Sequence, residues 1–181
     1  MSATPGGVEE IRTERLLLRP ARKSDVGAMY AVLSNAQAMR YWSTEPHRTI
    51  DETERWLAGM MAASLDESAD YVVELDGGVI GKAGIWKPPE IGFILHPDAW
   101  GRGLATEALG AVIDYAFTRF AMPAITADVD PCNEGSLALL TKLGFVVTGR
   151  AERTYEIAGR YCDSVYLALS RQVWIAGQWL R

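Results

Sequence analysis

The chain has 181 residues, of which 49% are apolar and 23% charged, and its formal net charge at pH 7 is −5. These values are typical of one soluble globular domain, and the acidic balance argues against a broad nucleic-acid surface. No apolar run approaches the roughly 18 residues of a membrane span, and no signal-peptide pattern opens the chain. With two cysteines and two histidines in no metal-type spacing, we expect no metal site and a cytoplasmic location.

The spacing of apolar residues divides the chain into strands and helices in the order βααβββαβαββ. Ser24 and Thr49 precede the first two helical stretches as N-caps, and Asp76-Gly77-Gly78 predicts a hairpin turn. This order indicates a single mixed α/β domain. The predicted strands are residues 15–21, 70–75, 79–86, 90–97, 124–130, 145–157 and 161–170, and the predicted helices are residues 24–35, 49–64, 104–120 and 134–143.

A run of basic residues lies near the start of the chain. Such runs usually face solvent, so we interpret this one as a solvated face. Its members are Arg12, Arg15, Arg19, Arg22 and Lys23.

The stretch HPDAWGRGLATEAL, residues 96–109, places two glycines before a helix, which raises the question of a phosphate site. A P-loop is excluded, because GGVIGK is one residue too short and Ala83 stands where Ser or Thr must bind magnesium. A dinucleotide fingerprint with Asp128 downstream fits poorly, because HPDAW separates the strand from the glycines and Thr106 replaces the third glycine.

The third interpretation is a diphosphate held by successive backbone N–H groups where the loop becomes a helix. The first turn of a helix leaves its N–H groups without partners, and glycines let them approach an anion closely. Arg102 could add a charge at the rim. The residues assigned to this cradle are Gly101, Arg102, Gly103, Leu104, Ala105 and Thr106.

EIGFILHPDAWGRGLATEAL and the later DPCNEGSLALLTKLGF resemble the acetyl-coenzyme A binding core of the GNAT superfamily of N-acetyltransferases. Trp100 occupies the usual Arg or Gln position, a departure familiar in the RimJ/RimL-like branch, which acetylates protein N-termini. RTERLLLRP, MRYWSTEPHRTIDETERWL and GRYCDSVYLALSR also look like that branch. We therefore expect a flexible leader (1–11), a GNAT domain (12–171) and a tail (172–181).

The resemblance implies a mostly antiparallel sheet of about seven strands, splayed between the fourth and fifth, with about four flanking helices. The pantetheine arm of acetyl-coenzyme A would lie in the splay, between EIGFILHP and AITADVD. Backbone groups of Phe93, Ile94 and Leu95 would pair with it, and one N–H would polarise the thioester carbonyl. Asn133 would contact the arm as well as cap a helix.

Glu90 is the candidate general base, although a surface strand residue would look the same. Simple alternation puts Glu90 on one face with Gly92 and Ile94, and a bulge would reverse that parity. Leu140 stands where many GNAT enzymes carry a tyrosine, so Ser136 is the candidate hydrogen-bond donor to the leaving sulfur and also a cofactor contact. Cys132 as an acyl carrier is disfavoured, because no histidine is placed to activate it.

The acceptor amine is expected to contact Tyr41, Trp42, Glu45 and Tyr155, although aromatic residues are often core. The favoured reaction is direct transfer from acetyl-coenzyme A, as co-substrate without a metal, to a protein N-terminal α-amine. Alternatives are an antibiotic, polyamine or amino-acid amine, or a non-catalytic acetyl-coenzyme A sensor. We expect a monomer or homodimer without nucleic-acid or membrane partners.

Overall fold

The computed structural model describes residues 10–63 and 68–177, so residues 1–9 of the expected leader and 178–181 of the expected tail lie outside the description. Within it, two short 3-10 turns, Lys23–Asp25 and Pro97–Ala99, accompany the strands and helices. The strands are β1 (Ile11–Arg12), β2 (Leu16–Arg19), β3 (Ala69–Leu75), β4 (Gly78–Lys87), β5 (Glu90–Leu95), β6 (Ala124–Val129), β7 (Val146–Ile157) and β8 (Arg160–Ser170). The helices are α1 (Val26–Leu33), α2 (Ile50–Ala62), α3 (Leu104–Arg119), α4 (Glu134–Lys142) and α5 (Arg171–Gly177).

The described strands form one eight-stranded sheet in the order β1-β2-β3-β4-β5-β6-β8-β7. Every neighbouring pair is antiparallel except β5 and β6, which are parallel and share the single residue pair Glu90–Thr126. The predicted splay between the fourth and fifth predicted strands is therefore confirmed. Ile11, which the sequence analysis placed in the leader, forms β1 and pairs with Leu18.

The sheet is covered on both faces. One apolar cluster joins α3 to residues such as Tyr71, Ile85 and Ile125, and a second joins α1 and α2 to Ile94. Because side chains alternate along a strand, Ile94 and its even-numbered neighbours on β5 point to the α1 and α2 face. The strand predicted for residues 124–130 is found as β6, whose apolar residues Ile125, Ala127 and Val129 alternate and all lie in the first cluster.

The end of the described chain packs onto its own domain. Trp174 of α5 is 3% exposed, and its indole Nε1 donates to Asp114 Oδ1 of α3 at 2.6 Å. Its neighbours Val173 and Ile175 are exposed. Trp179 and Leu180 of the expected tail lie outside the described residues.

Two expected helix caps differ in the structure. Ser24 lies inside the 3-10 turn that precedes α1, so it does not cap that helix. Thr49 does hold the N-cap position of α2, but its side chain caps no amide. Glu52 acts there instead, with its Oε2 accepting the backbone N–H of Arg48 at 2.8 Å.

The basic run is not a uniform solvated face, because Arg19 is buried. Its side chain is 5% exposed and makes ion pairs with Asp25 and Glu74, each at 2.8 Å. Burial by itself would raise the pKa of Asp25, but the hydrogen bonds from Arg19 and from the Arg22 amide outweigh it and lower that pKa below its usual value. A charge pattern along the chain cannot show this, because Glu74 comes from a distant strand.

We expect Asp25→Asn to lower the free energy of unfolding at pH 7 by roughly 3 kcal/mol, because it leaves a buried guanidinium short of one partner. The folded-state pKa of Asp25 is depressed, so its contribution is full above the unfolded value near 3.9 and is lost as pH falls through the folded value. Urea unfolding of both proteins at pH 7 and pH 3 should therefore show a difference that shrinks in acid. Glu54→Gln, on the exposed side of α2, is the control and should change stability by less than about 0.5 kcal/mol.

Candidate active site

The splay between β5 and β6 opens a wedge in the middle of the sheet. At its closed end the Thr126 N–H donates to the Pro89 carbonyl at 2.9 Å, next to the pair Glu90–Thr126. Beyond that point the strands share no further residue pair. Since the strands are parallel, the wedge opens toward both carboxyl ends, where β5 runs on to the glycine loop and β6 to Asn133.

The hydrogen-bond pattern between β4 and β5 determines which backbone groups face the wedge. The His96 N–H donates to the Ile80 carbonyl at 2.8 Å, and the register puts Ile94 opposite Lys82. In an antiparallel ladder bonded pairs alternate, so the backbone groups of Ile94 point to β4 and those of Phe93 and Leu95 point to the wedge. The ladder therefore favours Phe93 and Leu95 over Ile94 for backbone pairing with a cofactor arm, and the expected Ile94 contact stays a prediction. The buried Ile94 side chain belongs to the α1 and α2 cluster.

The glycine loop presents a run of unpaired amides. Gly101 and Gly103 have positive φ angles of 70° and 76°, which favour glycine, and Gly103 is the N-cap of α3. Among the described residues no group accepts a hydrogen bond from the N–H groups of residues 101–106. The helix macrodipole adds partial positive charge at the same place. This loop therefore fits a diphosphate.

The side chains of the loop hold it in place rather than fill it. The Trp100 indole Nε1 donates to the Leu95 carbonyl at 2.9 Å, tying the loop to the end of β5. Leu104 is 1% exposed and packs in the core, so only its backbone can serve a ligand. Arg102 is exposed at the rim, while Ala105 and Thr106 are half-buried in the first turn.

At the other side of the wedge, Asn133 is the N-cap of α4. Its Oδ1 accepts the Ser136 N–H at 3.1 Å, which confirms the cap. None of the hydrogen bonds among the described residues engages the half-buried Ser136 hydroxyl, so it remains available to a ligand. Cys132 is exposed.

A cavity of about 760 Å³ lies on the α1 and α2 face, over the closed end of the wedge. Gly92 of β5 lies in its lining, and its partner on β4 is Gly84. A Cβ on Gly84 would lie 2.4 Å from the Ala69 carbonyl oxygen and from the Asp70 Cα, so the close approach of β3 excludes any side chain there. Among the residues that line the cavity are Tyr41, Trp42, Trp86, Glu90, Asp128, Asp130, Tyr155 and Tyr166.

The cavity is acidic. Its lining contains one cationic side chain, Lys82, which is 3% exposed and pairs with Asp70 at 2.8 Å. Glu90 accepts a hydrogen bond from the Trp86 indole at 3.1 Å. Across the described part of the chain, no ion pair engages the carboxylates of Glu90, Asp128 or Asp130. The lining therefore carries negative charge without a counter-ion.

Tyr155 faces these carboxylates. Burial, and then the nearby charge of Asp130 and Asp128, raise the pKa of Tyr155 to about 12. The phenol therefore stays protonated at neutral pH and can donate a hydrogen bond into the cavity.

Of the residues expected to contact the acceptor amine, all but one line this cavity. Tyr41, Trp42 and Tyr155 line the cavity, whereas Glu45 does not and instead pairs with Arg48 at 3.4 Å. The contact expected of Glu45 with the acceptor therefore stays a prediction that the cavity lining does not support, because the exposed Glu45 carboxylate points to solvent. Glu90 does lie on the cavity face, because the bulge that could have reversed its parity is at Trp86 on β4 rather than on β5.

Several lining residues were not predicted from the sequence, above all Asp128, Asp130 and Trp86. A signal was present in AITADVD, since its alternation puts Asp128 on the face opposite Ile125, Ala127 and Val129. That face could not be assigned to the cavity without the sheet order.

Among residues 10–63 and 68–177, no group of three or more His, Cys, Asp or Glu side chains is placed to hold a metal ion. No helix within these residues has the length and apolar character required to cross a membrane.

The model of the acetyltransferase (GNAT) domain family matches residues 15–146. The chain belongs to the GNAT acetyltransferase family. The resemblance seen in its motifs is thus confirmed, and as in other GNAT proteins the acetyl donor is acetyl-coenzyme A.

Among the relatives of this GNAT chain is the spermidine N(1)-acetyltransferase of Escherichia coli K12, 29% identical over 170 residues that cover 88% of each protein. A crystal structure of spermidine N-acetyltransferase from Vibrio cholerae with CoA and spermine is 25% identical, with a TM-score of 0.77 over 90% of this chain and 99% of that one. An acetyl transferase from Salmonella typhimurium that modifies the N-terminal serine of ribosomal protein L7/L12 has a TM-score of 0.80 at 21% identity, over 90% and 99% of the two chains. That last likeness shows the shared fold alone.

Proposed function

We propose that this N-acetyltransferase acetylates a primary amine of a small molecule that carries at least two ammonium groups, a diamine or polyamine. The observation that carries the proposal is the cavity lined by Glu90, Asp128 and Asp130 without a cationic partner. A second and third ammonium group on the acceptor would supply the missing counter-charge. The aromatic walls, including Trp42 and Trp86, would also attract cations through their ring faces. The likeness to spermidine acetyltransferases supports the same class.

In the proposed reaction, the acceptor nitrogen forms a bond to the acetyl carbon, the carbon–sulfur bond breaks, and its electron pair goes to sulfur. The proton that nitrogen loses goes to the Glu90 carboxylate. The Phe93 N–H, which faces the wedge, is the proposed donor to the thioester oxygen, and the Ser136 hydroxyl is the proposed donor to sulfur. The amides of residues 101–106 and the side chain of Asn133 would hold the diphosphate and the pantetheine arm.

A protein N-terminal α-amine, which the sequence analysis favoured, is the second candidate. An α-amine with a pKa near 8 costs about 1.4 kcal/mol to deprotonate at pH 7, whereas an alkyl amine near 10.4 costs about 4.6 kcal/mol. The α-amine is therefore easier to activate, but it brings one charge to a cavity with three carboxylates that form no ion pair within the described part of the chain. Charge complementarity puts the diamine first.

Release of free thiol from acetyl-coenzyme A tests the proposal. The acceptors would be spermidine, putrescine, propylamine, a free amino acid, an aminoglycoside and a peptide with an unblocked N-terminus. We expect the highest kcat/KM with spermidine or putrescine and at least about a tenfold deficit with propylamine, which lacks the second charge. A preference for the peptide would overturn the choice of acceptor. Binding of coenzyme A without turnover of any amine would instead indicate a sensor.

We expect Ser136→Ala to lower kcat by about tenfold to a thousandfold, the scale on which one preorganised donor acts. The affinity for coenzyme A should stay within about threefold, because the Ser136 backbone N–H still completes the Asn133 cap. Steady-state kinetics and calorimetric titration measure the two quantities. Thr141→Val, which removes an exposed hydroxyl from the same helix, is the control. Wild-type kinetics in Ser136→Ala would remove this hydroxyl from the mechanism.

A further inference from the structure

The segment between β1 and β2 lies against the first turn of α3, beside the glycine loop. Glu107 receives hydrogen bonds from the Thr13 hydroxyl at 2.5 Å and from the Arg15 backbone N–H at 2.9 Å. The Arg15 guanidinium pairs with Glu107 Oε2 at 2.6 Å. The same guanidinium donates through Nη1 to the carbonyl of Arg102, inside the loop, at 2.9 Å.

Glu107 poses an electrostatic difficulty for a diphosphate site. Burial would raise the pKa of Glu107, but the hydrogen bonds from Thr13 and Arg15 outweigh it and lower that pKa below its usual value. The carboxylate is therefore ionised at neutral pH, in the first turn of the helix whose N-terminus faces the proposed diphosphate. A glutamate in the first turn stabilises the helix through its dipole. It also repels the diphosphate unless another group compensates its negative charge.

We propose that Arg15 is a positioning residue for acetyl-coenzyme A, which compensates the Glu107 carboxylate and holds the Arg102 carbonyl away from the loop amides. The inference rests on the proposed cradle at residues 101–106. It assigns a role in cofactor binding to a segment far from the motif in sequence. Each of its guanidinium nitrogens has a protein partner in this loop or on Glu107, so the proposed role is exerted through the loop, and the double variant below distinguishes it from a direct contact.

Arg15→Gln tests this role. Calorimetric titration with coenzyme A should show an affinity lower by about tenfold to a hundredfold, the effect of losing hydrogen bonds to a charged group. Acetyl-pantetheine lacks the diphosphate, so its KM in thiol release should not change. At saturating acetyl-coenzyme A, kcat should also stay within about twofold. A merely structural role would change both donors alike.

Arg12→Gln is the matched control, because it removes the same charge three residues before Arg15. The Arg12 side chain is 72% exposed and pairs with Glu10. The affinity of this variant for coenzyme A should remain that of the wild type. The double variant Arg15→Gln with Glu107→Gln then separates charge compensation from direct contact. If charge compensation dominates, removing the Glu107 carboxylate should restore at least half of the binding free energy for coenzyme A that Arg15→Gln loses.

Three results would overturn the inference: unchanged affinity in Arg15→Gln, an equal rise in KM for acetyl-pantetheine, or a double variant that binds as weakly as Arg15→Gln alone. None of them depends on the acceptor. Failure of the proposed function would be recognised separately, as a wild-type protein that binds coenzyme A but does not prefer a diamine or polyamine.

Discussion

Gly103→Glu is expected to lower the affinity for coenzyme A by at least about a hundredfold, because it adds a carboxylate where a diphosphate would lie against the N-terminus of α3. Gly103 has a φ of 76°, and a Cβ there would be 3.6 Å from Arg15 Nη2. The new carboxylate would thus compete with Glu107 for Arg15, which also bonds the loop at Arg102. Calorimetric titration with coenzyme A measures the loss, and thermal unfolding reports whether the fold persists.

Gly77→Glu is the matched control, because Gly77 also has a positive φ, 83°, and open space around its Cβ position. It introduces the same charge and a similar left-handed backbone strain of about 1 kcal/mol in the β3–β4 hairpin, away from the loop. The control should bind coenzyme A like the wild type. If Gly103→Glu also binds within about threefold of the wild type, the cradle assignment is wrong.

Glu90→Gln is expected to lower kcat/KM for the amine by about a hundredfold to ten-thousandfold, the range for loss of a positioned general base. Glutamine keeps the volume of the side chain, and its Oε1 can still accept the Trp86 indole hydrogen bond that positions Glu90. The affinity for coenzyme A should therefore not change. Steady-state kinetics with spermidine at saturating acetyl-coenzyme A measure the loss.

The pH dependence of that loss distinguishes a base from a binding group. As pH rises, a larger fraction of the acceptor amine is already neutral, so the deficit of Glu90→Gln should narrow. A deficit that stays constant with pH and appears only in KM would assign Glu90 to acceptor binding instead. Glu156→Gln, an exposed position on β7 outside the cavity lining, controls for the charge change.

Most of the fold could be predicted from local patterns. Alternation along residues 124–130, helical spacing after Gly103 and the turn at Asp76-Gly77 depend on neighbouring residues, and each is found in the structure. The additional β1 is two residues long, and such a short strand carries no periodicity that a sequence could reveal. Ser24 and Thr49 have suitable side chains, but capping also requires a particular local geometry.

The parts of the candidate site that consist of consecutive residues could be predicted from the sequence. The parts that are assembled from distant strands were missed. The glycine loop and the Asn133 cap occupy consecutive residues and were identified. Ile94 was expected to contact the cofactor through its backbone, but the β4–β5 ladder turns its backbone groups to β4 and leaves those of Phe93 and Leu95 facing the wedge. Glu45 looked suitable for a cation beside Trp42, yet its side chain turns to Arg48.

The sequence by itself determined a cradle of amides before α3, because glycine positions and helix starts are encoded within a few residues. Only the tertiary structure decided which charges are compensated. Arg15 reaches Glu107 across 92 positions, and Lys82 pairs with Asp70, whereas no ion pair among the described residues engages Asp128 or Asp130. Charge pairing depends on strand order and register, which bring together side chains that no spacing along the chain relates.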